Sequence, residues 1–169
     1  MLHDFNNINP ELGEKVFMAE GCHIIGKVTI EEKSSIWFGA VLRGDDNYIK
    51  VGKGTNIQDN VVIHVSRDTN PTIIGNYVTV GHSAIIHGAT IGDNCLIGMG
   101  SIIMDGCVIG KNTIIGAGSL VTGDKKIPEG VLCLGSPAKV VRKLSENEIK
   151  KINESAEHYI KLAETYYNK

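Results

Sequence analysis

From Ile91 onward an aliphatic residue returns at every sixth position, at Ile91, Ile97, Ile103, Ile109, Ile115 and Val121. Four positions after each of the first five comes a small residue, Cys95, Ser101, Cys107, Thr113 and Ser119, and the residue directly after the aliphatic is usually Gly. A looser form of the pattern runs upstream through Ile25, Ile30, Ile36 and Leu42, then Val51, Ile57 and Ile63, then Ile74, Val80 and Ile86. A period of six does not match the 3.6 of an amphipathic helix, and residues 74 to 121 are rich in Gly and β-branched side chains, which argues against helix there. Short fixed periods mark stacked repeats. The pattern predicts an all-β solenoid, a parallel β-helix in which each unit is one short strand and one corner. The aliphatic fills the interior and Gly supplies the corner dihedrals. With three units to a triangular coil, about eighteen residues advance the chain by one strand spacing of about 4.8 Å, so equivalent side chains stack.

The period changes near the C-terminus. Ser145 with Glu148 three residues later forms a capping box, and Ile149, Ile152, Ala156, Ile160 and Ala163 recur at three- and four-residue spacing. This predicts a helix over 145–167 whose apolar face packs on the β-helix or a neighbour, as a cap that covers an exposed coil. Gly135, Pro137 and the turn around Pro128 mark the change from coil to helix. The expected organisation is a single domain over 1–169, with the β-helix over 11–140.

The repeat gives three of the six histidines definable places. His64 follows Ile63 and His87 follows Ile86, so both occupy the slot after the interior aliphatic. The eleven-residue gap from Ile63 to Ile74 reads as one step of six plus a five-residue insertion drawn from the turn-forming stretch Ser66, Arg67, Asp68, Thr69, Asn70 and Pro71. Counted as one step, it leaves His64 and His87 one coil apart on the same face. Imidazoles stacked at about 4.8 Å can lean toward one ion with metal to nitrogen distances of about 2.0 to 2.1 Å. His82 lies two residues past Val80 rather than one and belongs to the preceding unit, so it points out from a different face. A site using all three needs His82 from a neighbouring subunit, which predicts a cyclic homotrimer. Three neutral imidazoles leave one position open, the arrangement of a catalytic zinc that acidifies a bound water to a pKa near 7.

Composition narrows the picture around this site. The chain has 169 residues, is 42% hydrophobic and carries a net charge of −2 with no basic block, which suits one well-buried domain and argues against nucleic acid or an anionic membrane surface as partner. No apolar run approaches eighteen residues and no targeting segment is evident, so the expected location is cytoplasmic. The four cysteines lack metal-type spacing; Cys95 and Cys107 fall in the small-residue slot as packing thiols.

The segments Arg43-Gly44-Asp45, Gln58-Asp59-Asn60, His64 and Gly81-His82-Ser83-Ala84-Ile85-Ile86-His87-Gly88 resemble the motifs of the gamma-class carbonic anhydrase family. The resemblance extends through Ile97-Gly98-Met99-Gly100-Ser101 and Leu134-Gly135-Ser136-Pro137-Ala138-Lys139 into the C-terminal helix. It implies a left-handed coil, against the right-handed habit of parallel crossovers, and reversible hydration of CO2 to bicarbonate. It implies that His64 and His87 bind Zn2+ from one subunit and His82 from the next, with Fe2+ or Co2+ as alternative metals. By the same resemblance Arg43 and Asp59 form an ion pair across the interface, joined by Asp45, and Gln58 sits beside the metal water. The plainer alternatives are solvated surface charges and a corner-stacking Gln. Tyr159 stands where many shorter members carry the Tyr of an Asn-Tyr pair approaching the site, with His158 in place of the Asn; packing explains both equally well.

The chain departs from the prototype branch at its acids. Arg67 stands three after His64, the loop is short, Asp46 replaces Glu, and Asp68 is the only acid within the loop. A missing proton shuttle implies slower hydration. Two other function classes fit a six-residue-repeat β-helix: an acyl-CoA-dependent acyltransferase, which needs one histidine as general base, and a noncatalytic metal-binding trimer.

Overall fold

The computed structural model describes residues 1–167. It is a left-handed parallel β-helix of about seven turns followed by one helix, Glu146–Tyr167, so the solenoid expected from the repeat and the hand implied by the resemblance are both met. One face of the prism is an eight-stranded ladder that includes Ser35–Ile36, Asn56–Ile57, Thr79–Val80 and Leu96–Ile97. The other two faces merge into a twelve-stranded ladder, because His23–Ile30 and Val41–Val51 bend round their shared corner without breaking. Every pairing between successive coils is parallel, for example Ile85↔Val62 and Ile85↔Ile102.

The predicted interior is the observed one. Ile24, Leu42, Ile63, Ile86, Ile103 and Val121 form one stacked column with at most 1% exposure, and the other two corners hold similar columns. Each such side chain is worth about 1.5 to 3 kcal/mol of apolar burial. The small slot behaves differently from simple packing, because its polar atoms are satisfied by the next coil. Ser101 Oγ donates to Gly116 O at 2.9 Å, Thr113 Oγ1 to Pro128 O at 3.0 Å, Cys107 Sγ to Thr122 O at 3.1 Å and Cys95 Sγ to Gly110 O at 3.2 Å. That is why hydroxyls and thiols are tolerated in a dry interior. Burial pushes the Cys95 thiol up to about 12, so it is inert.

The corners divide the work expected of glycine between two positions. Left-handed backbone recurs every sixth residue, three places after the aliphatic, at Asn94, Gly100, Gly106, Asn112, Gly118, Asp124 and Gly130. Asn and Asp share that slot because their short polar side chains tolerate it. The glycine directly after the aliphatic is needed for space instead: a Cβ on Gly92 would stand 2.7 Å from the backbone nitrogen of Lys111.

The helix begins as its capping box predicts. Glu148 accepts from the backbone N–H of Ser145 at 2.9 Å, and Ser145 Oγ accepts from the N–H of Glu148 at 3.3 Å. It lies along the flank of the eight-stranded face rather than over the end of the stack. Ile152, Ala156 and Ala163 are buried there, and Ala163 packs with Phe17, Ala19 and Trp37. The C-terminal end of that face is closed by a hairpin, with Ala138–Lys143 antiparallel to Val131–Gly135.

Candidate metal centre

His64 and His87 end the adjacent strands Val62–His64 and Ile85–His87, and the register pairs them directly, with Ile63 opposite Ile86. Their ring centroids are 5.0 Å apart, and His64 Nδ1 faces His87 Nε2 at 3.0 Å. One detail of the count differs from the sequence reading. The step from Ile86 to Ile91 is five residues, and it aligns with the eleven-residue step from Ile63 to Ile74, so the loop exceeds its neighbour by six.

The other nitrogen of each ring rests on a carboxylate. Asp45, from the strand Val41–Val51, meets His64 Nε2 at 3.0 Å, and Asp105 meets His87 Nδ1 at 2.8 Å. Partial burial pushes the Asp45 carboxyl up, but hydrogen bonds from His64 and Arg43 outweigh it and hold the group down to about 2. Asp105 is likewise lowered: burial opposes ionisation, while Ser66 and His87 favour it. Asp105 was missed from sequence, although it occupies the corner one coil past His87. The signal was a further count along the repeat, obscured by the shortened step.

This arrangement settles what the pair can accommodate. In the tautomer where each outer nitrogen donates to its ionised carboxylate, His64 Nδ1 and His87 Nε2 turn their lone pairs toward each other, an arrangement that one shared cation satisfies. Two ligand nitrogens at 2.0 to 2.1 Å from a tetrahedral ion are about 3.3 Å apart. The observed 3.0 Å is within a few tenths of an ångström of that. The residues therefore fit a borderline transition metal, and both rings have the carboxylate support typical of metal-bound histidine.

His82 is on another face and bonds elsewhere. Its Nδ1 lies 2.7 Å from Asp59 Oδ2, and its backbone N–H donates to Gln58 Oε1 at 3.2 Å. Gln58 is buried and donates to Asn56 Oδ1 at 3.1 Å, so it braces the turn that carries His82. Within one chain Asp59 thus holds His82, while Arg43 pairs with Asp45; Arg43 and Asp59 are not brought together. Tyr159 is half-buried, edge-on to Trp37 at 5.5 Å. Burial and the nearby Asp59 charge both push its phenol pKa up. His158 is exposed beside it.

A group of three donors within 4.8 Å of one another among the described residues consists of Asp45, Asp46 and His64. Asp46 also accepts from Arg67 Nε at 3.1 Å across the loop. Outward-facing Val62, Ile85 and Ile102 stack beside the histidine pair, 41%, 40% and 39% exposed, a continuous apolar row of the kind that marks an interface.

Residues 88–123 match the model of the bacterial transferase hexapeptide (six repeats) family. The chain is 54% identical over 154 residues to a probable carbonic anhydrase of Methanocaldococcus jannaschii, covering 91% of this chain and 96% of that protein. It is 49% identical over 164 residues to the mitochondrial gamma carbonic anhydrase 2 of Arabidopsis thaliana, covering 94% of this chain, and spans 59% of that longer protein. A crystal structure of a hexapeptide transferase family protein from Anaplasma phagocytophilum superposes with a TM-score of 0.94 at 44% identity, covering 98% of both chains.

Proposed function

Since the chain belongs to the gamma carbonic anhydrase family of hexapeptide-repeat proteins, we propose that it hydrates CO2 reversibly to bicarbonate at metal sites shared between subunits of a homotrimer. The observation that carries this reading is the carboxylate held by each of three histidines, His64 on Asp45, His87 on Asp105 and His82 on Asp59. Structural or catalytic acid roles for a histidine do not require all three to be matched in this way. In the proposed assembly His64 and His87 bind the ion from one subunit and His82 Nε2 from the next, with Zn2+ as the metal and Fe2+ or Co2+ as alternatives. The row of Val62, Ile85 and Ile102 supports an interface on this side.

When bound, the ion supplies a Lewis acid that brings the pKa of a water near 7. The chain's own residues then have separable tasks. Asp45, Asp59 and Asp105 fix the ring tautomers and orientations. Gln58 offers its remaining amide N–H to orient an oxygen or a bicarbonate, and Tyr159 closes the His82 side. Arg43 is the interface cation, able to bridge Asp45 of its own chain and Asp59 of another. Asp46 lies within 4.8 Å of the His64 ring and is exposed to pass a proton outward, but Arg67 holds it, so turnover is limited by proton export. No helix among the described residues is long and apolar enough to cross a membrane, and a cytoplasmic location completes the proposal.

The similarity to a hexapeptide transferase keeps acyl transfer as the competing reading, although it would use one histidine and leave two carboxylate-bound histidines without a task. Metal analysis followed by stopped-flow CO2 hydration with and without chelator separates the two. Stoichiometric metal with chelator-sensitive hydration is expected. Metal-free protein that transfers acetyl from acetyl-CoA would overturn the proposal.

A further inference from the structure

We propose that His3 and His23 form a second metal site, independent of the first, for an imidazole-preferring ion of the Ni2+, Cu2+ or Zn2+ class. The strand Leu2–His3 adds in parallel to His23–Ile30, with Leu2 opposite Ile24 and His3 opposite Ile25. That register brings the two imidazoles side by side, with centroids 5.1 Å apart, planes 20° apart, and His3 Nε2 2.9 Å from His23 Nδ1. Both rings are half-buried on backbone that is hydrogen-bonded on either side, Ile24 N–H to Met1 O at 2.9 Å and His23 N–H to Ala40 O at 2.8 Å. The nitrogens are therefore positioned before any ligand arrives, which lowers the cost of binding.

The spacing is that of the His64–His87 pair, at 3.0 Å between nitrogens and 5.0 Å between rings. The support differs. Among the described residues no carboxylate meets His3 or His23, and the two rings share a hydrogen bond with each other instead. An ion that replaces this shared hydrogen needs the nitrogens to open only toward about 3.3 Å. Two imidazoles and no carboxylate select a borderline or late transition metal over Mg2+ or Ca2+, which require oxygen ligands. The missing carboxylates also make the site weaker by about ten- to a hundredfold than one whose histidines are so supported, with water completing the coordination.

The test is a titration of tag-free, chelator-stripped full-length protein with Ni2+ and with Zn2+, read by calorimetry and by metal content after gel filtration. Two equivalents per chain are expected, one tight and one at least tenfold weaker that a mild chelator removes. His3→Gln and His23→Gln each lose the weak equivalent and keep the tight one, whereas His64→Ala loses the tight one and keeps the weak. Circular dichroism identifies either glutamine variant that fails to fold, in which case the other carries the comparison. A wild type without the weak equivalent, or a weak equivalent that survives both glutamine substitutions, would overturn the assignment. A chain that binds only the weak equivalent would sink the shared-metal reading and leave this one standing.

Discussion

His64 and His87 aim Nδ1 and Nε2 at each other across 3.0 Å, while Asp45 and Asp105 occupy the opposite edges of the two rings. Each carboxylate dictates which nitrogen keeps its proton, and so which nitrogen is left for an ion. The proposed metal pair thus has its protonation pattern set from outside.

Asp105→Asn removes the charge behind His87 while preserving the shape of the side chain. Metal affinity measured by chelator competition should fall by about ten- to a hundredfold, as for other carboxylates behind metal-bound histidine. Thermal stability of the metal-free protein should change little by comparison. Unchanged affinity would mean that Asp105 serves only the loop through Ser66.

The proposed donation of His82 across a subunit interface predicts complementation. His82→Ala and His64→Ala should each abolish tight metal binding. When the two variants are unfolded, mixed equally and refolded together, about a quarter of the interfaces receive His64 and His87 from one chain and His82 from the other. Recovery of about a quarter of the metal is the expected result. Full binding by His82→Ala homotrimers would refute a shared site.

Asp45 gives the protein an acid-sensitive contact. Its pKa lies at about 2 against an ordinary 3.8, so the folded state favours the ionised form. Its contribution is complete above pH 4 and is lost as pH falls through about 2. Urea titrations should therefore show wild type exceeding Asp45→Asn by about 1 kcal/mol at pH 5, with the difference shrinking toward pH 2. A gap that stays constant over that range would contradict the ionised hydrogen-bonded state.

Ile85 sits in the middle of the exposed apolar row, between Val62 and Ile102. Ile85→Lys should weaken subunit association by at least about tenfold, because a charge at the centre of an apolar contact is poorly tolerated. Sedimentation should show lighter species while the far-ultraviolet spectrum of the solenoid persists. An unchanged oligomer would place the interface on another face.

The features legible from sequence were those fixed by local repetition. Ile91, Ile97, Ile103, Ile109 and Ile115 announced the interior because a six-residue unit forces the same side chain inward each time, and Ser145 with Glu148 announced the helix start through contacts three residues apart. The opposition of His64 and His87 followed from the same counting. Asp105 escaped because its reach to His87 depends on the five-residue step from Ile86 to Ile91, a local shortening that no average period contains. The bond from Asp59 to His82 escaped for a similar reason, since it joins neighbouring coils through side-chain direction rather than spacing. The helix position along the flank is set by the apolar surface of Phe17 and Trp37, which the helix sequence does not reveal.

The reversal of direction at Ala138–Lys143 has a meaning for growth as well as for shape. Parallel coils are a polymer in principle, because every added coil exposes the same row of backbone donors and acceptors that recruited it. On the eight-stranded face the antiparallel strand satisfies that row from the wrong direction, so no further coil finds a matching template. The other two faces end on Leu120–Val121 and Lys126–Ile127, strands of two residues, the second carrying a charge. A molecule built from an open-ended repeat thus carries its own stop signal, and remains a discrete particle instead of the seed of a fibre.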